Sequence, residues 1–130
     1  MILDTSVVIA LLREEPETAW IVPLLLDHFG KLKMSVANYL EAAIVIDRNA
    51  DDVLSERLDR VLTHFDVELV SVSRHHAIVA REAYQRFGKG NHRAKLNYGD
   101  CFAYALARSI GEPLLFKGDD FARTDIESAR

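Results

Sequence analysis

Four acidic residues, Asp4, Glu41, Asp100 and Asp119, fall where a doubly wound α/β chain brings side chains to one edge of its sheet. Asp4 ends the apolar start Met1-Ile2-Leu3, and Asp119 follows the strand-like run Pro113-Leu114-Leu115-Phe116. The first and last strong strand candidates therefore both finish in acid. Glu41 and Asp100 lie in expected helices between them. Carboxylates gathered at such an edge have one common chemical use, the binding of divalent metal.

Each acid also has a plain structural reading. Asp4, followed by Thr5 and Ser6, suits a helix N-cap. Asp100, three residues after Asn97, suits a capping box. Asp119, in Gly118-Asp119-Asp120, suits a tight turn. Glu41 differs, because its helical neighbours Ala37, Asn38, Ile44 and Val45 make a mostly apolar surface that offers no Lys or Arg. An unpaired carboxylate there costs several kcal/mol or takes up a proton, on the order of magnitude known for buried charge. A shared metal ion relieves it. Oxygen donors without a Cys or His cluster select Mg²⁺ or Mn²⁺ over zinc, and Mg²⁺ held by carboxylates suits phosphoryl chemistry.

The chain has 130 residues, 49% of them hydrophobic, and a formal net charge of −4. That length supports one core, so we expect a single domain over 1–130. The overall charge offers no attraction for nucleic acid, but its distribution does. Arg81, Arg86, Lys89, Arg93 and Lys95, with His92, face only Glu82 among the acids of that stretch. Lys89, Arg93 and Lys95 are expected to hold the phosphate backbone of a substrate. His92 could stack on a base or touch a phosphate, and Tyr98 offers a stacking face. Lone Cys101 is expected to be a packed thiol. It fits a reducing compartment and, with no basic leader or apolar span in the sequence, a cytoplasmic location.

Apolar periodicity and turn residues give the elements. Short strands are expected at Ile2-Leu3, Leu32–Ser35, Val67–Val72 and from Pro113. Helices are expected after Asp4, over Thr18–Phe29 and Val36–Asp47, from Asp51 or Asp52 to near Phe65, from Ser73 to Phe87, and from Asn97 through Ala107. Gly88 to Arg93 is expected to be a mobile loop, and Thr124-Asp125-Ile126 to add an edge strand. The alternation implies a parallel sheet with right-handed crossovers and helices on both faces.

Four ordered blocks carry a family resemblance: Met1-Ile2-Leu3-Asp4-Thr5-Ser6, Ser35 to Ala42, Phe87-Gly88-Lys89-Gly90 through Leu96-Asn97-Tyr98-Gly99-Asp100-Cys101, and Leu114 to Phe121. Together they resemble VapC-type PIN-domain ribonuclease toxins over nearly the whole chain. The resemblance implies a PIN-like doubly wound three-layer α/β/α fold with a short, mainly parallel four- to five-stranded sheet. It implies a Mg²⁺-dependent endoribonuclease, the toxin of a type II pair, usually dimeric and held inactive by a VapB-type antitoxin. By motif, Asp4, Glu41 and Asp100 take the family's acidic positions. The usual fourth position is Gly118 here, so the role shifts to Asp119, with Asp120 competing. Phe116 stands where many relatives have Thr, and Ser6 fits a small polar position whose hydroxyl orients a metal-bound water. The competing readings are a silent PIN-fold binding module and a phosphorelay receiver. The receiver is disfavoured because Val67–Val72 leads into Ser73 rather than an aspartate.

Overall fold

The computed structural model describes residues 1–48 and 50–130. Its elements are β1 (Ile2–Leu3), α1 (Thr5–Leu12), α2 (Thr18–Asp27), β2 (Leu32–Ser35), α3 (Val36–Asp47), α4 (Asp52–His64), β3 (Val67–Val70), α5 (Arg74–Phe87), α6 (Tyr98–Ile110) and β4 (Leu114–Leu115). The strands form one parallel sheet in the order β3-β2-β1-β4. The chain leaves β1 toward β2 on one side and returns as β4 on the other. β1 is therefore the switch point, beside which such sheets open a crevice at their carboxyl ends.

Alternating side chains build the two outer layers. Leu3, Met34 and Leu115 point into a core closed by α1, α2, α3 and α4. Ile2 and Leu114 point the other way, into a core closed by α5 and α6. Helix starts follow local chemistry. Asp51 accepts the N–H groups of Val53 and Leu54 at 3.0 and 3.1 Å and begins α4. Ser73 and His76 close a capping box on α5. Gly111 ends α6 at φ 74°, a left-handed conformation that favours glycine; α6 thus runs to Ile110, three residues beyond the expected end.

Other boundaries differ from expectation for identifiable reasons. α2 stops at Asp27, short of Phe29, where the His28 ring nitrogen meets the Leu24 carbonyl at 2.9 Å and satisfies an otherwise orphaned acceptor. β3 ends at Val70 because its partner β2 ends at Ser35, opposite it in register. The expected edge strand at Thr124-Asp125-Ile126 is instead a turn, with the Ile126 N–H donating to the Thr124 hydroxyl. The pairing falls at Ser128, beside Leu114. The segment expected to be a mobile loop is tied at its base: the N–H of Lys89 donates to Leu96 O, and the N–H of Leu96 donates to Phe87 O. Among the described residues, no helix is long and apolar enough to cross a membrane.

Tyr104 shows how the tail is held. Its ring is buried in the α5–α6 core, and its hydroxyl donates to Asp125 at 2.6 Å, which also receives the Arg86 guanidinium. Burial and the Asp125 carboxylate raise the phenol to about 12. Tyr104→Phe should cost about 1.5–3 kcal/mol, the worth of a hydrogen bond to a charged group. Tyr104→Ala should cost about 3–5 kcal/mol, because it also leaves a cavity. Urea denaturation of the two variants measures the difference.

Candidate functional site

Asp4 begins the site. It follows β1 directly, caps α1 and is buried. Its Oδ2 accepts the Ser6 N–H at 2.9 Å and the Ser6 hydroxyl at 2.5 Å. Its Oδ1 is buried without a partner. Burial drives this carboxyl above its ordinary pKa; the two Ser6 bonds oppose that shift and the Glu41 charge reinforces it. The Ser6 oxygen also accepts the Lys117 N–H at 3.0 Å. With its one proton given to Asp4, Ser6 orients the carboxylate and joins it to the chain leaving β4.

Glu41 reaches the same cleft from α3. Its Oε2 takes the Thr5 hydroxyl at 2.5 Å and lies 3.5 Å from Asn38 Nδ2. Asn38 is fully buried and donates to Thr5 Oγ1 at 3.1 Å and to the Gly99 carbonyl at 3.0 Å. One amide therefore fastens α1, α3 and α6 together beneath the acids. Sequence reasoning assigned no role to Thr5, Asn38 or Gly99. The available signal was an amide one helical turn before the suspect glutamate, on the same face.

Asp100 stands in the first turn of α6, where it and Asn97 exchange bonds of 2.8 and 2.9 Å in a capping box. Its carboxyl is pushed up to about 7, chiefly by burial. The bond from the Asn97 backbone opposes the shift, and the charges of Asp4, Asp120 and Glu41 add to it. Asp4 and Asp100 thus both cap their helices and both feel the charge of neighbouring acids. Besides Asp4 and Glu41, the one further charge acting on Asp100 is that of Asp120. Asp119, favoured from the sequence, lines a groove with Trp20, Phe116 and Arg130. Gly118, at φ 100°, turns the chain just before both acids.

The basic segment divides. Lys89 and Arg81 line a cavity of about 700 Å³ with Tyr84, Asn97 and Tyr98, against the start of α6. Arg93 and Lys95 are exposed and do not line it. His92 is half-buried, packed edge-on against Phe87, with Nδ1 accepting the Ala94 N–H at 3.0 Å; it latches the loop. Cys101 is a buried free thiol whose pKa burial raises to about 11, as expected of a packed cysteine.

A family model described as "PIN domain" matches residues 1–127. The chain belongs to the PIN-domain family. Among its relatives, Ribonuclease VapC of Mycolicibacterium smegmatis is 47% identical over 97% of both chains. Ribonuclease VapC30 of Mycobacterium tuberculosis is 46% identical over 97% of this chain and 95% of that one. This PIN domain is thus of the VapC type. The solved structure of Mycobacterium tuberculosis VapC20, titled a sarcin-ricin loop cleaving toxin, superposes with a TM-score of 0.80 at 15% identity, covering 99% of this chain and 98% of that one. A chain in a toxin-antitoxin complex from Klebsiella pneumoniae gives a TM-score of 0.70 at 17% identity, over 95% of this chain and 92% of that one. At such identities these two speak for the fold alone.

The donor set of this PIN domain fits a hard cation. Asp4 Oδ1 is an orphaned buried acceptor, burial and like charge hold two carboxyls above their ordinary range, and every candidate donor is oxygen. Lys117, the cation whose backbone touches Ser6, commits its ammonium to Glu15 and Glu17. Among the described residues, no three acids, histidines or cysteines close into a ready-made cage. Mg²⁺ needs no such cage, because it retains several waters and takes few side chains directly.

The pKa pattern makes a signed prediction. An acid raised in the folded state binds more protons folded than unfolded, so metal-free stability should fall as pH climbs from about 4 toward 7 and then level off. Asp100→Asn should flatten part of that fall. In carboxyl ¹³C titrations Asp100 should change near pH 7. Asp120→Asn should move that midpoint down, whereas Asp119→Asn should leave it in place.

Proposed function

We propose that this VapC-type ribonuclease is a Mg²⁺-dependent endoribonuclease, the toxin of a toxin–antitoxin pair, working through Asp4, Glu41, Asp100 and Asp120. The observation that carries the reading is the buried, partnerless Asp4 Oδ1 at the switch point of the sheet, with three more acids acting on one cleft. These carboxylates would hold Mg²⁺, with Mn²⁺ as its substitute, and the ion would supply charge neutralisation at the attacked phosphate and a more nucleophilic water. Ser6 fixes the direction of Asp4, and Thr5 that of Glu41. Lys89 and Arg81 draw in the RNA backbone that bare carboxylates repel. Arg93 and Lys95 add charge to the approach without lining the cavity.

Asp4→Asn, Glu41→Gln and Asp100→Asn should each leave a folded protein. RNA cleavage should fall by more than the roughly 10–100-fold that loss of an outer-shell partner costs. Asp120→Asn should be more damaging than Asp119→Asn. Mg²⁺ should raise the melting temperature of the wild type and should do so less in these variants. Equal melting with and without millimolar Mg²⁺, together with cleavage in excess chelator, would sink the metal reading.

Two partners follow from the same surface. The acidic cleft suits a VapB-type antitoxin whose Arg or Lys forms charge-assisted hydrogen bonds with the carboxylates. The apolar remainder of its segment would fill the groove beside α1, α2 and α3. Leu40, Ile44 and Tyr98 are 57%, 51% and 79% exposed and form an apolar face, flanked by Glu41 and Arg48, that supports a homodimer. Leu40→Glu with Ile44→Glu should yield a monomer in analytical ultracentrifugation. Co-expression with the neighbouring small open reading frame should rescue growth, and truncation of that partner's C-terminal tail should abolish the rescue.

A further inference from the structure

Gly99 sits in the first turn of α6, between exposed Tyr98 and the acid Asp100, and is itself buried. Its φ is not among the positive values that favour glycine, so backbone conformation does not demand glycine here. Space does. A Cβ at this position would stand 2.1 Å from Glu41 Oε1 and 2.4 Å from both Cδ and Oε2 of the same side chain. The carboxylate from α3 occupies the volume in which any other residue would place its first side-chain atom.

The surrounding bonds make this a seat. Thr5 holds Oε2, which leaves Oε1 over Gly99. Asn38 binds the Gly99 carbonyl and the Thr5 hydroxyl, and so fixes the spacing of α6 and α1 around the glutamate. We propose that Gly99 is the positioning residue for Glu41: by lacking a side chain it lets the α3 carboxylate lie against α6 beside Asp4 and Asp100. Its importance for catalysis rests on the metal-site reading above, whereas the placement of Glu41 does not.

The intruding atoms belong to the far end of a flexible side chain, and Ala is a better helix former than Gly. Gly99→Ala should therefore fold, with a melting temperature close to wild type, while Glu41 swings away. Three measurements test this. In metal-free protein the Glu41 carboxyl ¹³C resonance should shift in Gly99→Ala. The Mg²⁺ concentration giving half the maximal thermal shift should rise about 10–100-fold, as for loss of a group that orients a ligand, and cleavage should fall similarly. In a Glu41→Ala background, Gly99→Ala should have no further effect, because the group through which it acts is gone.

An unmoved Glu41 resonance, or losses that add in the double variant, would overturn the inference. A wild type with no Mg²⁺ response would instead overturn the metal reading and leave the resonance to decide the placement of Glu41. If Gly99→Ala melts far below wild type, recovery on adding Glu41→Ala supports the clash, and no recovery refutes it.

Discussion

Like charge held in a confined place is the constraint on which the rest of this structure turns. Asp4, Glu41, Asp100 and Asp120 act on a common cleft, and the cation bonded nearest, Lys117, is committed to other acids. A carboxylate removed from water without a counter-charge costs several kcal/mol, on the order known for buried ions. The fold lessens this cost with dipoles and hydroxyls. Asp4 and Asp100 sit at the starts of α1 and α6, where helix ends favour negative charge. Ser6 and Thr5 supply hydroxyl donors to Asp4 and Glu41. These contacts orient the acids without neutralising them, so the cleft retains a demand for positive charge. On the function proposed here, a divalent ion and a basic partner segment would meet the same demand, and inhibition by the partner would be a competition for one set of oxygens.

The core and the site are coupled through a small number of polar ties. Asn38 is the main one, since its amide reaches α1 and α6 from inside α3. Ser6 is another, bridging Asp4 and the strand-exit backbone at Lys117. The two apolar layers set the positions of the helices, and these buried polar bonds set the angles of the acids.

Much of this was legible in the sequence, because apolar periodicity fixes which face of a helix is buried and turn residues fix where it starts and stops. The strand at Ile2-Leu3, the capping roles of Asp51, Ser73 and Asn97, and the parallel alternation follow from such local rules. The acids were legible by type, and Glu41 by its apolar neighbours. What escaped depends on packing between elements. Asn38 is polar in a helix whose burial is decided by α6, more than sixty residues away in the chain. The choice between Asp119 and Asp120 depends on how the backbone rotates after Gly118, whose left-handed φ breaks any simple count along the strand. The His92 latch depends on Phe87 lying across the loop from it.

The shortness of β1 has a mechanical meaning. Asp4 begins one residue beyond a strand of only two residues, and those residues are anchored in opposite layers, Ile2 against α5–α6 and Leu3 against α1–α4. A long strand works as a lever, and flexing along it dilutes a disturbance before it reaches the tip. Here there is almost no arm. Any shift of either layer relative to the other is delivered to the carboxylate nearly undiminished, so the tolerance of the Asp4 oxygens equals the tolerance of the core. Repacking beneath the sheet, even by residues that never approach the cleft, is therefore a route by which such an enzyme can be tuned or silenced.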